Sequence, residues 1–152
     1  MPDITRNLNA IRMYHTNQRG ISILAVLIII ITACLVIGGG FLLINQEKAR
    51  TRDAKRMSDM TRVQAAFELM FNQTASYAMA ATDGCSQTGM PVSSCALGTF
   101  LPSIGQFKDP GKYAYTVTVV PTESTYQVTF TLEKDYGTLK AGKHTLSPDG
   151  IK

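Results

Sequence analysis

Two cysteines, Cys85 and Cys95, bracket the stretch Ser86-Gln-Thr-Gly-Met-Pro-Val-Ser-Ser94, and of all residues in the chain these are the best placed for covalent chemistry. Two thiols across a Ser/Thr/Gly-rich loop, in a chain that also carries an apolar anchor, read as a disulfide. Closing such a loop stabilises by roughly 3 kcal/mol on the chain-entropy model. The rival reading is a metal pair, but no second pair of Cys or His stands at zinc spacing to complete it. The third cysteine, Cys34, lies in an apolar run and reads as an inert buried residue.

Other reactive groups are sparse. The two histidines, His15 and His144, stand alone, and a lone His is a surface or structural residue far more often than a ligand. Glu133, Asp135 and Asp149 could offer oxygens to calcium, although turn and surface roles fit them better. Asn72-Gln73-Thr74 matches a glycosylation acceptor pattern that arises as readily by chance. There is no nucleophile motif, no paired carboxylates in a cleft, no Gly-rich phosphate loop and no zinc spacing. The sequence therefore points away from an enzyme, with no catalytic, cofactor-binding or metal-binding residue to nominate.

The formal net charge is +4, and the basic residues are unevenly placed. Lys48, Arg50, Arg52, Lys55, Arg56 and Arg62 stand against only Asp53 and Asp59. This cluster reads as a solvated helix face near anionic headgroups. Nucleic-acid contact is disfavoured, because no aromatic residues are interleaved and no reader motif appears.

The elements that would position these groups are legible from hydrophobic pattern. Ile21–Ile44 is a run of 24 residues without a charge, which suffices for a transmembrane helix of about 36 Å across a hydrocarbon core of about 30 Å. It is too long, and its downstream flank is wrong, for an ordinary cleaved secretory signal. Residues 1–20 form a polar leader. Beyond the run, Met57, Met60, Val63, Ala66, Phe67, Met70 and Phe71 recur at spacings of three and four, one helical face. No Pro occurs between Pro2 and Pro91 to break a helix. One long helix is expected, apolar all round over 21–44 and amphipathic over 45–75. Gly38-Gly39-Gly40 interrupts it, either to let helices pack closely or to let the helix unwind during assembly.

Residues 76–152 read as a small β-rich domain. Tyr113 to Val120 and Tyr126 to Glu133 alternate in period two, and Pro121–Thr125 joins them as a hairpin loop. A third strand is expected around Lys143–Leu146, with a turn at Asp149-Gly150. A hairpin alone is marginal, so the strands must lie on the helical stripe from Met57 to Phe71. The fold class is thus α+β: a long N-terminal helix, its first half transmembrane, packed against a small antiparallel sheet. Orientation has two conflicting indicators. Counting Lys and Arg around the run places the C-terminal side inside, whereas a disulfide requires it to be outside the cytoplasm. The disulfide is the stronger constraint.

Arg19-Gly20 ahead of this run resembles the processing site of type IV pilins and type II secretion pseudopilins. The stretch Ala49–Tyr77, with Asp53-Ala-Lys-Arg56, Phe67-Glu-Leu69 and an Asn72…Ser76-Tyr77 exit, is similar to the amphipathic half of a pseudopilin helix. Phe100-Leu-Pro102, Asp109-Pro-Gly111, the Tyr-rich hairpin and Ala141–Gly150 resemble the same family's C-terminal domain. The resemblance covers about residues 19–152 and implies a pilin-like fold. It implies that a prepilin peptidase cuts between Gly20 and Ile21 and that the new amine of Ile21 is methylated. It also implies a single-pass inner-membrane protein with an extracytoplasmic C-terminal domain. Such a protein joins other pilin or pseudopilin subunits in a cell-surface filament or pseudopilus, and inner-membrane lipid surrounds its helix beforehand. Ile21 departs from the family pattern, which usually has Phe after the cut, and so does a second position: Ala25 stands where a Glu is usual. That second departure favours a minor or tip subunit. The alternative is a single-pass, membrane-anchored extracytoplasmic binding module that never polymerises.

Overall fold

The structure, a computed structural model, describes residues 22–82 and 84–152, without the side chains of 39–43. The chain divides into two compact units, residues 1–41 and 42–152. The leader and the Gly20-Ile21 junction lie outside the described residues.

A single helix, α1, runs over Ile23–Thr74. Its make-up explains its length: aliphatic residues first, then Ala, Leu, Met, Glu, Lys and Arg, with no Pro to remove a backbone donor. It stays helical through Gly38–Gly40, and a Cβ added at Gly38 would meet nothing within 4 Å. It ends at Ala75, which takes a left-handed φ of 53° and donates its N–H to Phe71 O at 2.7 Å. That single backbone bond is the αL stop used at many helix C-termini.

In the first unit the described side chains of α1 are exposed. This includes Cys34, which was expected to be buried and is an exposed free thiol. Its aliphatic neighbours are no cover, because they too are exposed. The membrane span expected over 21–44 is not found: among the described residues no helix is long and apolar enough to cross a membrane. Ile21 and the side chains of 39–43, which belong to that expected span, lie outside the described residues.

The second unit is the α+β body. A four-stranded antiparallel sheet has the order β1 (Thr116–Val119), β2 (Gln127–Leu132), β3 (Gly142–Ser147), β4 (Gly150–Ile151). Val117 pairs with Val128, Val128 with Leu146 and Leu146 with Ile151, so one apolar face is continuous across all four strands. Met60, Val63, Ala66, Phe67 and Met70 of α1 are buried in one cluster with Val117, Val128, Phe130, Leu132 and Leu146. The expected stripe is thus the one used, although Met57 is only partly buried and Phe71 is exposed. Phe67 stacks on Tyr126 with centroids 3.8 Å apart, and Tyr77 meets both rings edge-on. Aromatic pairs in these geometries add roughly 0.5–1.5 kcal/mol beyond their burial.

The first strand starts at Thr116, three residues later than the alternation from Tyr113 suggests. The N–H groups of Gly111 and Tyr113 donate instead to the Asp109 carboxylate, which folds 109–113 into a loop. An irregularity between Val117 and Val119 turns Val119 outward. The fourth strand was not anticipated. It is two residues long, reached through the turn at Pro148-Asp149 with Gly150 at φ 102°.

Tyr126 is 1% exposed, and its hydroxyl has no hydrogen-bond partner among the described residues. A buried unpaired hydroxyl costs roughly 1–3 kcal/mol. Tyr126→Phe keeps the ring stack and removes that cost, so its thermal midpoint is expected to equal or exceed that of the parent. A clear drop would mean that the hydroxyl is bonded in solution.

Candidate functional site

The most concentrated chemistry in the body is a buried ion cluster on α1. Continuing the apolar stripe upstream from Phe67, Val63 and Met60 in steps of three and four leads to Arg56 and Asp53. These residues therefore face inward. The solvated face expected over 48–62 is accordingly corrected: Lys48, Arg50 and Arg62 are exposed, but Asp53, Arg56 and Asp59 are buried.

Arg56 is the hub, with no exposed surface. Its Nε and Nη2 donate to the two oxygens of Asp109 at 2.6 and 2.9 Å, a bidentate pair. Its Nη1 donates to Asp53 Oδ1 at 2.7 Å and Glu133 Oε1 at 2.8 Å. Glu133 also accepts two bonds from Arg52. The remaining carboxylate valence is filled by backbone: Glu133 N and Lys134 N donate to Asp53, and Gly111 N and Tyr113 N to Asp109. The helix is thereby fastened at two points, to the 109–113 loop and to the end of β2. Gly111 is required there, since an added Cβ would come within 2.9 Å of Arg56 Nη2. One turn along, Asp59 accepts from Lys55 Nζ at 2.7 Å and from the Tyr115 hydroxyl at 3.0 Å.

Titration follows from these contacts. Asp109 is opposed by burial, yet the Arg56 bonds and the two N–H groups outweigh it and hold its carboxyl below the usual range. The Arg52 bonds, with Arg56 adding to them, bring Glu133 down to about 2. Burial, with the Asp59 charge adding to it, pushes the Tyr115 hydroxyl up. The Asp109 bonds raise Arg56 further above its ordinary value. Both carboxyls titrate lower in the folded than in the unfolded chain. Their stabilisation is therefore complete above the unfolded range, about pH 4–4.5, and is lost as pH falls toward 2. A melt series from pH 6 to pH 2 should show a midpoint that falls steeply below pH 4.5, and a flat profile would contradict the cluster.

The residues nominated from sequence are placed as follows. Cys85 and Cys95 are joined in a disulfide with Cα atoms 4.4 Å apart, as the loop composition implies. Glu133, Asp135 and Asp149 are not brought together. Glu133 is held by Arg52 and Arg56, Asp135 pairs with Lys140, and Asp149 pairs with Lys152. Among the described residues no three His, Cys, Asp or Glu side chains could share a metal ion. His144 sits on β3 with its ring nitrogens against the carbonyl oxygens of Lys140 and Lys152. Ala25 is exposed on α1; Gly20, Ile21 and His15 lie outside the described residues. Sequence reasoning places Arg56 on a solvated basic face and Asp109 in a family-like Asp-Pro-Gly motif, but does not pair them as the core of a buried cluster. The signal was the i, i+3 continuation of the apolar stripe onto Asp53 and Arg56, but no local pattern shows that Asp109 and Glu133 reach them from 53 and 77 residues away.

Comparison with protein-family models, with curated proteins and with solved structures finds no match to this chain.

Proposed function

We propose that this chain is a pilin-like structural subunit, a minor or tip component of a type IV pilus or a type II secretion pseudopilus. One observation carries the reading. Over Ile23–Ile37, α1 turns large aliphatic side chains outward all round, from Val26 at 42% exposed to Ile23 at 87%, without one charged residue. A helix apolar on every side needs cover from lipid or from other helices. A filament subunit gets both in turn: residues 21–44 lie in the inner membrane first, then among the helices of neighbouring subunits. An extracytoplasmic body agrees with the Cys85–Cys95 bond. Ala25 leaves the helix without the buried carboxylate that would meet a neighbour's amine, which favours a subunit at the tip or of low copy number. Prepilin peptidase, other subunits and membrane lipid are the partners on this reading, and the chain is not an enzyme.

A membrane-anchored module that never polymerises would expose the same helix. Intact mass of the protein from its native membrane separates the two. The filament reading expects a chain that begins at Ile21 and is heavier by one methyl group, and it expects Gly20→Ala to accumulate as precursor. A chain that still carries its first 20 residues, or normal maturation of Gly20→Ala, would overturn the assigned cut.

A further inference from the structure

Two grooves of the body share a ridge on α1. Lys48 and Arg52, four residues apart and so on one side of the helix, line both. The first groove, of about 450 Å³, is lined also by Asn45, Gln46, Glu133 and Lys134 and is mostly polar. The second, of about 560 Å³, is lined also by Ile44, Glu47, Thr51 and Pro110. Its surface is chiefly carbon, from Ile44, Pro110, the Thr51 methyl and the stems of Lys48 and Arg52. Glu47 pairs with Arg50 at 3.0 Å. Both volumes fall within the range of ligand sites, about 300 to 1,000 Å³.

Charge decides what the polar groove takes. Arg52 gives its Nε and Nη2 to Glu133, and its Nη1 has no partner among the described residues. Lys48 and Lys134 are exposed, and neither forms an ion pair among the described residues. The clasp itself, Arg52 and Arg56 against Asp53, Asp109 and Glu133, carries one net negative charge. The two lysines reverse that balance to one net positive charge, the complement of a phosphodiester. An occupant with a phosphodiester beside Lys48 and Lys134 and hydrocarbon along Ile44 and Pro110 uses both grooves at once. A phospholipid has that form, whereas a nucleotide or a sugar phosphate would leave the apolar groove to water. Chain position agrees. Ile44 is the last residue of the uncharged run, and Lys48 follows it by about 6 Å of helix.

We propose that the ridge of Lys48 and Arg52 is a binding site for an anionic phospholipid, its phosphate on Lys48 and Lys134 and its hydrocarbon along Ile44 and Pro110. The site names a lipid class for the membrane partner in the reading above and rests on that reading. The probe is dihexanoylphosphatidylglycerol, titrated into the full-length, isotope-labelled chain in a nonionic detergent and followed by NMR. Saturable shifts confined to residues 44–52, 110 and 133–134 are expected. Dihexanoylphosphatidylcholine, whose own cation offsets its phosphate, should bind roughly tenfold more weakly, since each basic residue beside an anionic lipid is worth about fivefold. Glycerol 3-phosphate, which lacks the chains, should also bind at least tenfold more weakly. The double variant Lys48→Gln, Lys134→Gln breaks no ion pair, so it should keep the rest of the spectrum and bind phosphatidylglycerol only as well as phosphatidylcholine. The proposal is overturned by shifts that do not saturate or map elsewhere, by equal binding of phosphatidylcholine or glycerol 3-phosphate, or by a double variant that binds as the parent does. Hydrogen exchange over 23–37 in phosphatidylcholine bilayers tests the membrane reading separately. Protection there without a phosphatidylglycerol site would overturn this proposal alone, and a saturable site without that protection would uphold it and overturn the membrane reading.

Discussion

Arg56→Ala is expected to cost the body roughly 3–5 kcal/mol, the largest single-residue effect in the chain. The loss is not the worth of four hydrogen bonds. It is the cost of leaving Asp53 and Asp109, both buried, with no cation beside them. A body of this size would melt lower by on the order of 15 °C. Two further variants isolate the cause. Arg56→Lys keeps the charge but gives up the fork that meets both Asp109 oxygens, so it should fall between parent and Ala. Replacing the pair together, Arg56→Met with Asp109→Leu, removes the stranded charge along with its partner. It should be less destabilised than Arg56→Ala alone, as buried ion pairs exchanged for apolar residues often are. An Arg56→Ala midpoint within a few degrees of the parent would mean that solvent reaches the cluster and that the clasp does not fasten the helix.

The same cluster marks how far the residues themselves foretell the fold. The stripe at Met60, Val63, Phe67 and Met70 is a local period and identified the helix and the face that meets the sheet. The alternation in 126–133 identified β2 in the same way, since pleat direction is a nearest-neighbour property. What escaped was non-local. Burial of Arg56 depends on Asp109 and Glu133 arriving from loop and strand ends, and charge type alone argues for solvent. The start of β1 escaped for the same reason, because the Asp109 side chain captures the N–H of Tyr113, with that of Gly111 just before it, and folds the expected strand start into a loop. Cys34 failed on a different ground. An apolar neighbourhood in sequence implies burial only when something comes to cover it, and over Ile23–Ile37 the described side chains are exposed.

Removing the disulfide is the second large effect. The double variant Cys85→Ala, Cys95→Ala leaves no polar atom in a site where both residues are at most 3% exposed. It should cost roughly 3 kcal/mol, mainly by freeing the unfolded chain. The loss should also be local in its first stage. The segment around the bond carries Val92 and Leu97 into the core, and it bonds β1 and the residue before it through Val92 N to Tyr115 O, Val117 N to Met90 O and Gly89 N to Val117 O. Beside the bond the backbone passes so close that a Cβ on Gly84 would lie 2.4 Å from Ala96 N and 2.5 Å from Ser94 O. Such backbone contact holds only while the loop stays closed. Hydrogen exchange should therefore rise first over 85–97 and along the β1 edge, with the amides of Met60–Met70 protected until global unfolding. Because the sulfurs are buried, dithiothreitol should act on the native protein only as fast as this segment opens. Reduction that is instantaneous under native conditions, or a double variant that melts with the parent, would show that the bond neither closes the loop nor stabilises the body.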